Sequence, residues 1–509
     1  MIGGRIVQAF FFGTEFRDSY SILPVPLKDL DTGGGTKLEI SYEKMEADCR
    51  ELHKAEILEY LEQDCIVLRR AIELFIEQFG LRITIASVAL PMLRSFHGYN
   101  EMSEQADETI RPYYMGGRVQ AFRQGVLRGD FQMIDANSMY PFVMANFDHP
   151  VSAIPLNQKG TIDDVTDFAL IEAENDGALG SKAGGDLDFT VRKGTFFATG
   201  HEIRAGVDTG RLRVLKVKQS YTFQYRTKFK EFVDTFYDAR LEAKARGDKA
   251  MVLFMKLLLN SSYGKFALNT EGYKDHYLMR EGGTHPYPLY GPLAFEPYTD
   301  EHGEEKLHCI SAPNGWRVEN FRNDVAQPFT IFSRPSRSSG RLFHNVATAA
   351  SITGAARAYL MRSMSAASNV VYCDTDSIIC TGFDGRMGDK ELGAWKVEAT
   401  GDRLFIGGKK LYAFGTTGEA GPKAKILDWE GERIAIIKTA TKGVNLTPLE
   451  IARVCNGEVI EYEHGPPAFS LDRETRFTKR KVRMTGKDWT AENVQDFSPQ
   501  LEMFTEPKQ

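Results

Sequence analysis

The sequence predicts an α+β protein built from several domain-sized units, and three observations lead there. The chain has 509 residues, more than one ordinary hydrophobic core accommodates, so about three or four units are expected. Apolar residues recur at helical spacing over 55–79, over 229–268 with a break near Gly247, and along the Ala-rich stretch 346–364. Short apolar strands, Phe131–Ile134 and Val370–Tyr372, run directly into acidic positions at Asp135 and Asp374. Helices and strands mix without strict β-α-β alternation, which favours α+β over a doubly wound sheet.

Composition narrows the class. Apolar residues make up 42% and charged residues 26%, as in globular proteins, and no run approaches the twenty uncharged apolar residues of a membrane span. The N-terminus lacks the order of a signal peptide. Six cysteines are scattered without C-x-x-C spacing, which argues against a disulfide framework or zinc site and for a reducing compartment. A net charge of −6 does not by itself suggest a nucleic-acid binder. Two local clusters do: Arg211, Arg213, Lys216, Lys218, Arg226, Lys228 and Lys230, interleaved with Tyr221, Phe223 and Tyr225, and a second from Arg473 to Lys487. Either alone reads equally well as a solvated face.

Three segments carry chemistry. Asp374-Thr375-Asp376 follows an apolar strand and precedes Ser377-Ile378-Ile379, a pattern that suits a hairpin with carboxylates at its tip. Positions two apart on a strand face the same side, so the two carboxylates are expected together. Held close, they repel unless a cation neutralises them, and magnesium takes oxygen ligands while keeping positions for phosphates. D-x-D also occurs at Asp29/Asp31 and Asp186/Asp188, so the tripeptide alone is as consistent with a polar turn. The second segment, Asp135-Ala136-Asn137-Ser138-Met139-Tyr140-Pro141, leaves a strand with a carboxylate and reaches an aromatic ring five residues on. The third is Lys256-x-x-x-Asn260-Ser261-x-Tyr263-Gly264, where helical spacing lines Lys256 up with Asn260. Arg240 and Lys244 share the same spacing upstream, and three cations on one helical hairpin could clamp a triphosphate.

D-A-N-S-M-Y-P, K-L-L-L-N-S-S-Y-G and Y-C-D-T-D-S, in that order, resemble the three polymerase motifs of family B DNA polymerases. Tyr114-Met115-Gly116-Gly117 resembles the Y-x-G-G motif, and Lys410-Leu411-Tyr412 the K-x-Y motif, of the protein-primed branch found in phages and linear plasmids. Ile352–Arg357 is similar to the palm helix that precedes the D-T-D hairpin. The resemblance implies a right-hand fold of palm, fingers and thumb and two-metal nucleotidyl transfer on two Mg2+ ions, with Mn2+ as a substitute. Asp135 and Asp376 would hold the metals with the Ala136 carbonyl, and Asp374 would support them. Arg240, Lys244 and Lys256 would hold the nucleotide triphosphate. Tyr140 would exclude a 2′-hydroxyl, and Asn260 and Tyr263 would border the new base pair. Tyr114, Gly116, Gly117, Ser138, Ser261, Gly264, Thr375, Lys410 and Tyr412 would contact DNA. The implied partners are template-primer DNA, dNTPs and a terminal protein as primer, with no membrane. The chain would act as a monomer, in the bacterial cytoplasm if phage-encoded.

The family usually begins with a ribonuclease H-like 3′–5′ exonuclease domain built on four carboxylates. Tyr60-Leu61-Glu62-Gln63-Asp64 resembles its last motif, and Phe16–Ser19 with Leu23–Leu27 the segment before it. The two earlier motifs have no counterpart, so an incomplete N-terminal lobe without proofreading is expected, with Tyr60 and Asp64 as remnants. The implied layout is an exonuclease-like lobe over 1–105, a linker and first palm segment over 106–147, and an insertion with palm over 148–228, the insertion placed to meet the terminal protein. Fingers over 229–268, a second insertion over 269–345, palm over 346–405 and thumb over 406–509 complete it. A reverse transcriptase or RNA polymerase would not be expected to pair D-x-x-S-x-Y-P with K-x-x-x-N-S-x-Y-G. An inactive DNA-binding fragment is the alternative from another class.

Overall fold

The computed structural model describes residues 8–11, 13–30, 37–45, 49–82, 84–158, 160–183, 186–267, 344–422, 424–441, 446–464 and 478–484, together with five strands between 274 and 335. Helix α1 (Lys54–Phe79) is the predicted helix of the N-terminal region. Its buried residues Tyr60, Val67, Ala71 and Phe75 fall seven and four apart, one face of a 3.6-residue repeat. Helix α2 (Ile85–Phe96) starts at Thr84, whose side chain accepts from Ser87 N–H in a capping box. Helix α3 (Glu104–Ile110) leads to β1 (Val119–Ala121), β2 (Gly125–Ala136) and α4 (Met139–Asn146).

Next come β3 (Pro155–Gln158), β4 (Phe168–Asn175), β5 (Lys193–Thr199), α5 (Gly200–Asp208) and β6 (Leu212–Phe223). These four strands form one antiparallel sheet in the order β5-β4-β6-β3. Helices α6 (Lys230–Ala245) and α7 (Lys249–Ser262) are the predicted hairpin, turned at Gly247 with φ +75°, and Asp248 caps α7 by accepting from Met251 N–H. Helix α8 (Val346–Ser365) is followed by β7 (Tyr372–Asp374), β8 (Ser377–Cys380), β9 (Trp395–Gly408), β10 (Leu411–Thr416), β11 (Lys425–Trp429), β12 (Glu432–Thr441) and α9 (Pro448–Cys455). The five cysteines described are free. No helix among the described residues is long and apolar enough to cross a membrane.

An eight-stranded antiparallel sheet in the order β11-β12-β10-β9-β2-β8-β7-β1 is the centre of the molecule. The pleat sends Ile134 and Ile378 into one core cluster with α8, and Met133 and Ile379 into another on the opposite face. Helix α8 is buried along nearly its whole length, and its run of alanines lets neighbouring helices approach closely. Gly354 faces Thr199, where a β-carbon would overlap the threonine side chain. A third cluster packs α9 against β10 to β12. The α+β expectation therefore holds: the fold mixes helices with largely antiparallel sheets.

Candidate active site

Asp135 sits on the middle strand of the sheet. In register, β8 sets Ser377 opposite it on one side and β9 sets Lys396 opposite it on the other. Ala136 N–H donates to the Asp376 carbonyl at 2.8 Å, so the strand end and the hairpin tip are joined through backbone.

The expectation that Asp374 and Asp376 share one strand face is corrected here. Strand β7 ends at Asp374, the turn takes up Thr375 and Asp376, and Asp376 N–H bonds back to the Asp374 carbonyl at 2.6 Å. Thr375 has φ +58°, outside the range of a pleated strand. The turn gives the two carboxylates different nearest partners without separating them electrostatically, since Asp374 is the charge that raises Asp376 most and Lys410 acts on Asp376 as well. Asp376 bears electrostatically on Asp135, whereas Asp374 Oδ1 lies 3.6 Å from Lys410 Nζ and accepts from Thr375 Oγ1. Ser138, Thr375 and Lys410 are three of the five described non-glycine residues with positive φ, one in each of three separate motifs. Such strain persists only where the surroundings hold it.

Burial first, then the charges of Asp376 and Glu398, push the Asp135 carboxyl up to about 7. Asp376 is also raised, chiefly by burial. Among the described residues neither forms an ion pair. The nearby cations Lys396 and Lys438 pair with Glu398, and Lys410 with Asp374. Burial pushes Glu398 up, but its two lysines outweigh that and hold it below the ordinary range. Sequence reading missed Glu398, a third carboxylate close enough to raise both aspartates; nothing in Trp395-Lys396-Val397-Glu398 sets it apart from a half-exposed strand. No group of three or more His, Cys, Asp or Glu among the described residues is arranged to hold a metal. The donors on hand are the two carboxylates of Asp135 and Asp376, and an acidic pair without an ion-pair partner among the described residues fits divalent metal.

Above this pair, Tyr140 stacks on Tyr263 with ring centroids 4.2 Å apart and planes 10° from parallel. Burial pushes the Tyr140 hydroxyl up to about 12. Arg240 Nη1 donates to Ser138 Oγ at 3.2 Å, bringing α6 to the turn after Asp135. Burial lowers the Arg240 pKa. Lys256 and Asn260 lie on the exposed face of α7, and Lys244 is exposed one turn beyond Arg240. Ser261 Oγ bonds the Leu258 carbonyl of its own helix, and Gly264 opens the short turn Gly264–Ala267.

The Y-x-G-G segment meets the hairpin tip. A β-carbon on Gly117 would stand 2.7 Å from Thr375 Oγ1, whereas one on Gly116 meets nothing within 4 Å. Thr375 N–H donates to the Arg118 carbonyl at 2.7 Å. Arg357, from α8, donates through Nη1 to the Met115 and Gly116 carbonyls at 2.6 and 2.7 Å, and through Nε and Nη2 to Glu202 at 2.7 and 3.0 Å. Burial raises the Tyr114 hydroxyl. Lys410 N–H donates to Tyr372 Oη, whose ring lies 5.1 Å from that of buried Tyr412.

Much of the first basic cluster is engaged within the protein. Arg211 is buried against Asp176, Arg226 grips Asp167 with two hydrogen bonds, Arg213 pairs with Glu174 and Lys230 with Asp234. Of the second cluster, Lys479, Arg480, Lys481 and Arg483 fall within the described residues 478–484, and Arg473, Arg476 and Lys487 lie outside the described residues. Tyr60 and Asp64 come together in the N-terminal lobe, where Lys37 Nζ donates to Asp64 Oδ2 at 2.6 Å and to Tyr60 Oη. Asp64 Oδ1 is buried with no hydrogen-bond partner among the described residues.

Residues 35–287 match the family model of DNA polymerase type B, organellar and viral. The chain is 39% identical to the DNA-directed DNA polymerase of Enterobacteria phage PRD1, over 95% of this chain and 84% of that protein. It belongs to the type B DNA polymerases. The DNA polymerase of Bacillus phage Nf is 24% identical over 78% of this chain and 67% of its own. The type B fold is also that of phi29 DNA polymerase in complex with primer-template DNA and incoming nucleotide, with a TM-score of 0.63 over 92% of this chain and 80% of that one at 18% identity. As a type B polymerase of phage kind, this chain is a DNA-directed DNA polymerase, a nucleotidyltransferase.

Proposed function

We propose that this polymerase adds dNMPs to a primer 3′-hydroxyl on a DNA template by two-metal catalysis, in protein-primed replication of a viral genome inside the host cytoplasm. The observation that carries the reading is the Asp135–Asp376 pair: two half-buried carboxylates that repel each other and have no cation of their own among the described residues. Asp135, Asp376 and the Ala136 carbonyl would hold Mg2+ ions, or Mn2+ in their place. The bound metals supply a lowered pKa at the primer hydroxyl and charge stabilisation at the leaving pyrophosphate. Asp374, 3.6 Å from Lys410, keeps that lysine beside the site, and Lys410 and Tyr412 steady the primer end.

Arg240, Lys244 and Lys256 bind the triphosphate and offset charge developing on it. Tyr140, fixed by its stack on Tyr263, closes the space that a 2′-hydroxyl needs. Asn260 and Tyr263 border the new base pair, and Ser138, Ser261, Gly264 and Thr375 line the approach of the DNA. Tyr114, Gly116 and Gly117 guide the strand past the hairpin tip. The Y-x-G-G and K-x-Y resemblances support protein priming, and the β3–β6 sheet with α5 is the surface offered to a terminal protein. The chain works as a monomer, with exonuclease-like lobe, palm, fingers, two insertions and thumb divided as the resemblance implies.

The test is primer extension with Mg2+ by wild type, Asp135→Asn and Asp376→Asn, with primer-template affinity measured separately. Both variants are expected to bind DNA and to lose extension. Extension surviving in either variant would remove that aspartate from the metal site.

A further inference from the structure

A loop between the D-T-D hairpin and β9 ties the fingers to the palm. Its residues 388–394 make three hydrogen bonds with Asn137: Asn137 Nδ2 donates to the Gly388 carbonyl at 2.8 Å, Asn137 N–H to the Ala394 carbonyl at 2.9 Å, and Gly393 N–H to the Asn137 carbonyl at 2.8 Å. Gly393 has φ +77°, and a β-carbon there would overlap the Phe142 ring, so the backbone lies directly on α4. Tyr359 Oη, from α8, donates to the Gly393 carbonyl. On the fingers side, Tyr237 Oη donates to the Lys390 carbonyl at 2.8 Å.

These contacts close a circuit. Helix α6 carries both Tyr237 and Arg240, three residues apart and so on neighbouring positions of one face. Arg240 reaches Ser138, Ser138 follows Asn137, Asn137 is bonded to the loop, and the loop returns to Tyr237. Arg240 and Tyr237 also sense each other electrostatically.

We propose that Tyr237 is a positioning residue for the incoming nucleotide: its bond to Lys390 O fixes α6 against the palm so that Arg240 stays over Ser138, ready for the triphosphate. This rests on the reading of Arg240 as a triphosphate ligand. Tyr237 itself does not touch the nucleotide. It sets the azimuth and depth of the helix that does, and the Asn137-bonded loop is the fixed point against which the helix is held. Removing the hydroxyl leaves the ring and its packing while opening the circuit at one bond.

The experiment is single-nucleotide insertion by wild type, Tyr237→Phe, Arg240→Gln and the double variant, reading kcat, KM for dNTP and primer-template Kd. Tyr237→Phe is expected to raise KM about fivefold, equivalent to about 1 kcal/mol, with kcat and primer-template Kd unchanged. Arg240→Gln is expected to raise KM more, and Tyr237→Phe to add little on top of it, because both act through one guanidinium. If Arg240→Gln leaves KM unchanged, the triphosphate reading fails and this proposal with it. If Arg240→Gln raises KM while Tyr237→Phe does not, or the two effects multiply in full, only the positioning role is overturned. A Tyr237→Phe variant that loses kcat and DNA affinity along with nucleotide affinity would point to general structural damage and also overturn it.

Discussion

Substituting Gly117 by alanine should slow nucleotide addition without weakening the fold much, and the structure shows why. The added β-carbon would lie 2.7 Å from Thr375 Oγ1, 2.9 Å from its Cγ2 and 3.2 Å from its Cβ. Thr375 has little room to yield. Its φ is already +58°, its N–H is held by the Arg118 carbonyl at 2.7 Å, and its hydroxyl donates to Asp374. Overpacking of this kind costs about 1–3 kcal/mol. The strain is relieved most readily by shifting the two-residue turn that carries Asp376, and a displacement near 1 Å at a reacting centre costs on the order of a hundredfold in rate. Gly117→Ala is therefore expected to reduce single-turnover extension at saturating DNA and dNTP by about ten- to a hundredfold, with primer-template affinity retained. Gly116→Ala, whose β-carbon meets no protein atom within 4 Å, is the control for the clash: it should keep the single-turnover rate at saturating DNA, any loss falling on primer-template affinity. Adding Thr375→Gly to Gly117→Ala removes both the clash and the left-handed strain, and should restore part of the rate. Wild-type turnover in Gly117→Ala, or no recovery in the double variant, would refute the steric coupling between these two motifs.

Three further outcomes follow from the geometry. His149 is fully buried, its ring nitrogens facing Ser351 Oγ and the Val143 carbonyl, and burial pushes its pKa down to about 4. The unfolded chain takes up that proton first, near 6.5, so His149 contributes stability above about pH 6.5 and loses about 2 kcal/mol of it by pH 5. Urea unfolding at pH 7 and 5 should show a larger acid loss in wild type than in His149→Gln; an equal loss would exclude His149 as the source. Tyr140→Val should raise ribonucleotide incorporation, since it removes the ring stacked on Tyr263, and sugar discrimination at the wild-type level would take Tyr140 out of that role. Arg357→Met leaves the Glu202 carboxylate buried without its partner and should cost about 3–5 kcal/mol in chemical denaturation, with a loss under about 1 kcal/mol as the contrary result.

The long helices and the strand before Asp135 were legible because they rest on local periodicity, which survives without knowledge of the partner surface. Helices α1, α6, α7 and α8 fall where apolar spacing and the Gly247 break put them. The three polymerase motifs were legible through their order in the chain. What stayed hidden depends on contacts between residues far apart in sequence. The basic stripe at Arg211–Lys230 looked like a phosphate surface, but Asp167, Glu174 and Asp176 on and beside the adjacent strand β4 bind three of its arginines. Alternating charge along one strand carries no record of the acids opposite it. Glu398 was equally unreadable, because its approach to Asp135 is set by the register of β9 on β2.

The D-T-D tripeptide shows most clearly where pattern reading stops. Strand alternation places residues i and i+2 on one face, and that rule would have grouped Asp374 with Asp376. A turn beginning at Thr375 breaks the alternation, and whether a chain turns there depends on what receives the turn. Here Arg118 accepts the Thr375 N–H, and Gly117, lacking a side chain, leaves room for the threonine. The Y-x-G-G segment, more than 250 residues upstream, thus shapes the hairpin that carries both acids. Asp376 meets Asp135 while staying charge-coupled to Asp374, which pairs with Lys410. A glycine at 117 and a threonine with positive φ at 375 are therefore one geometric requirement expressed at two distant positions.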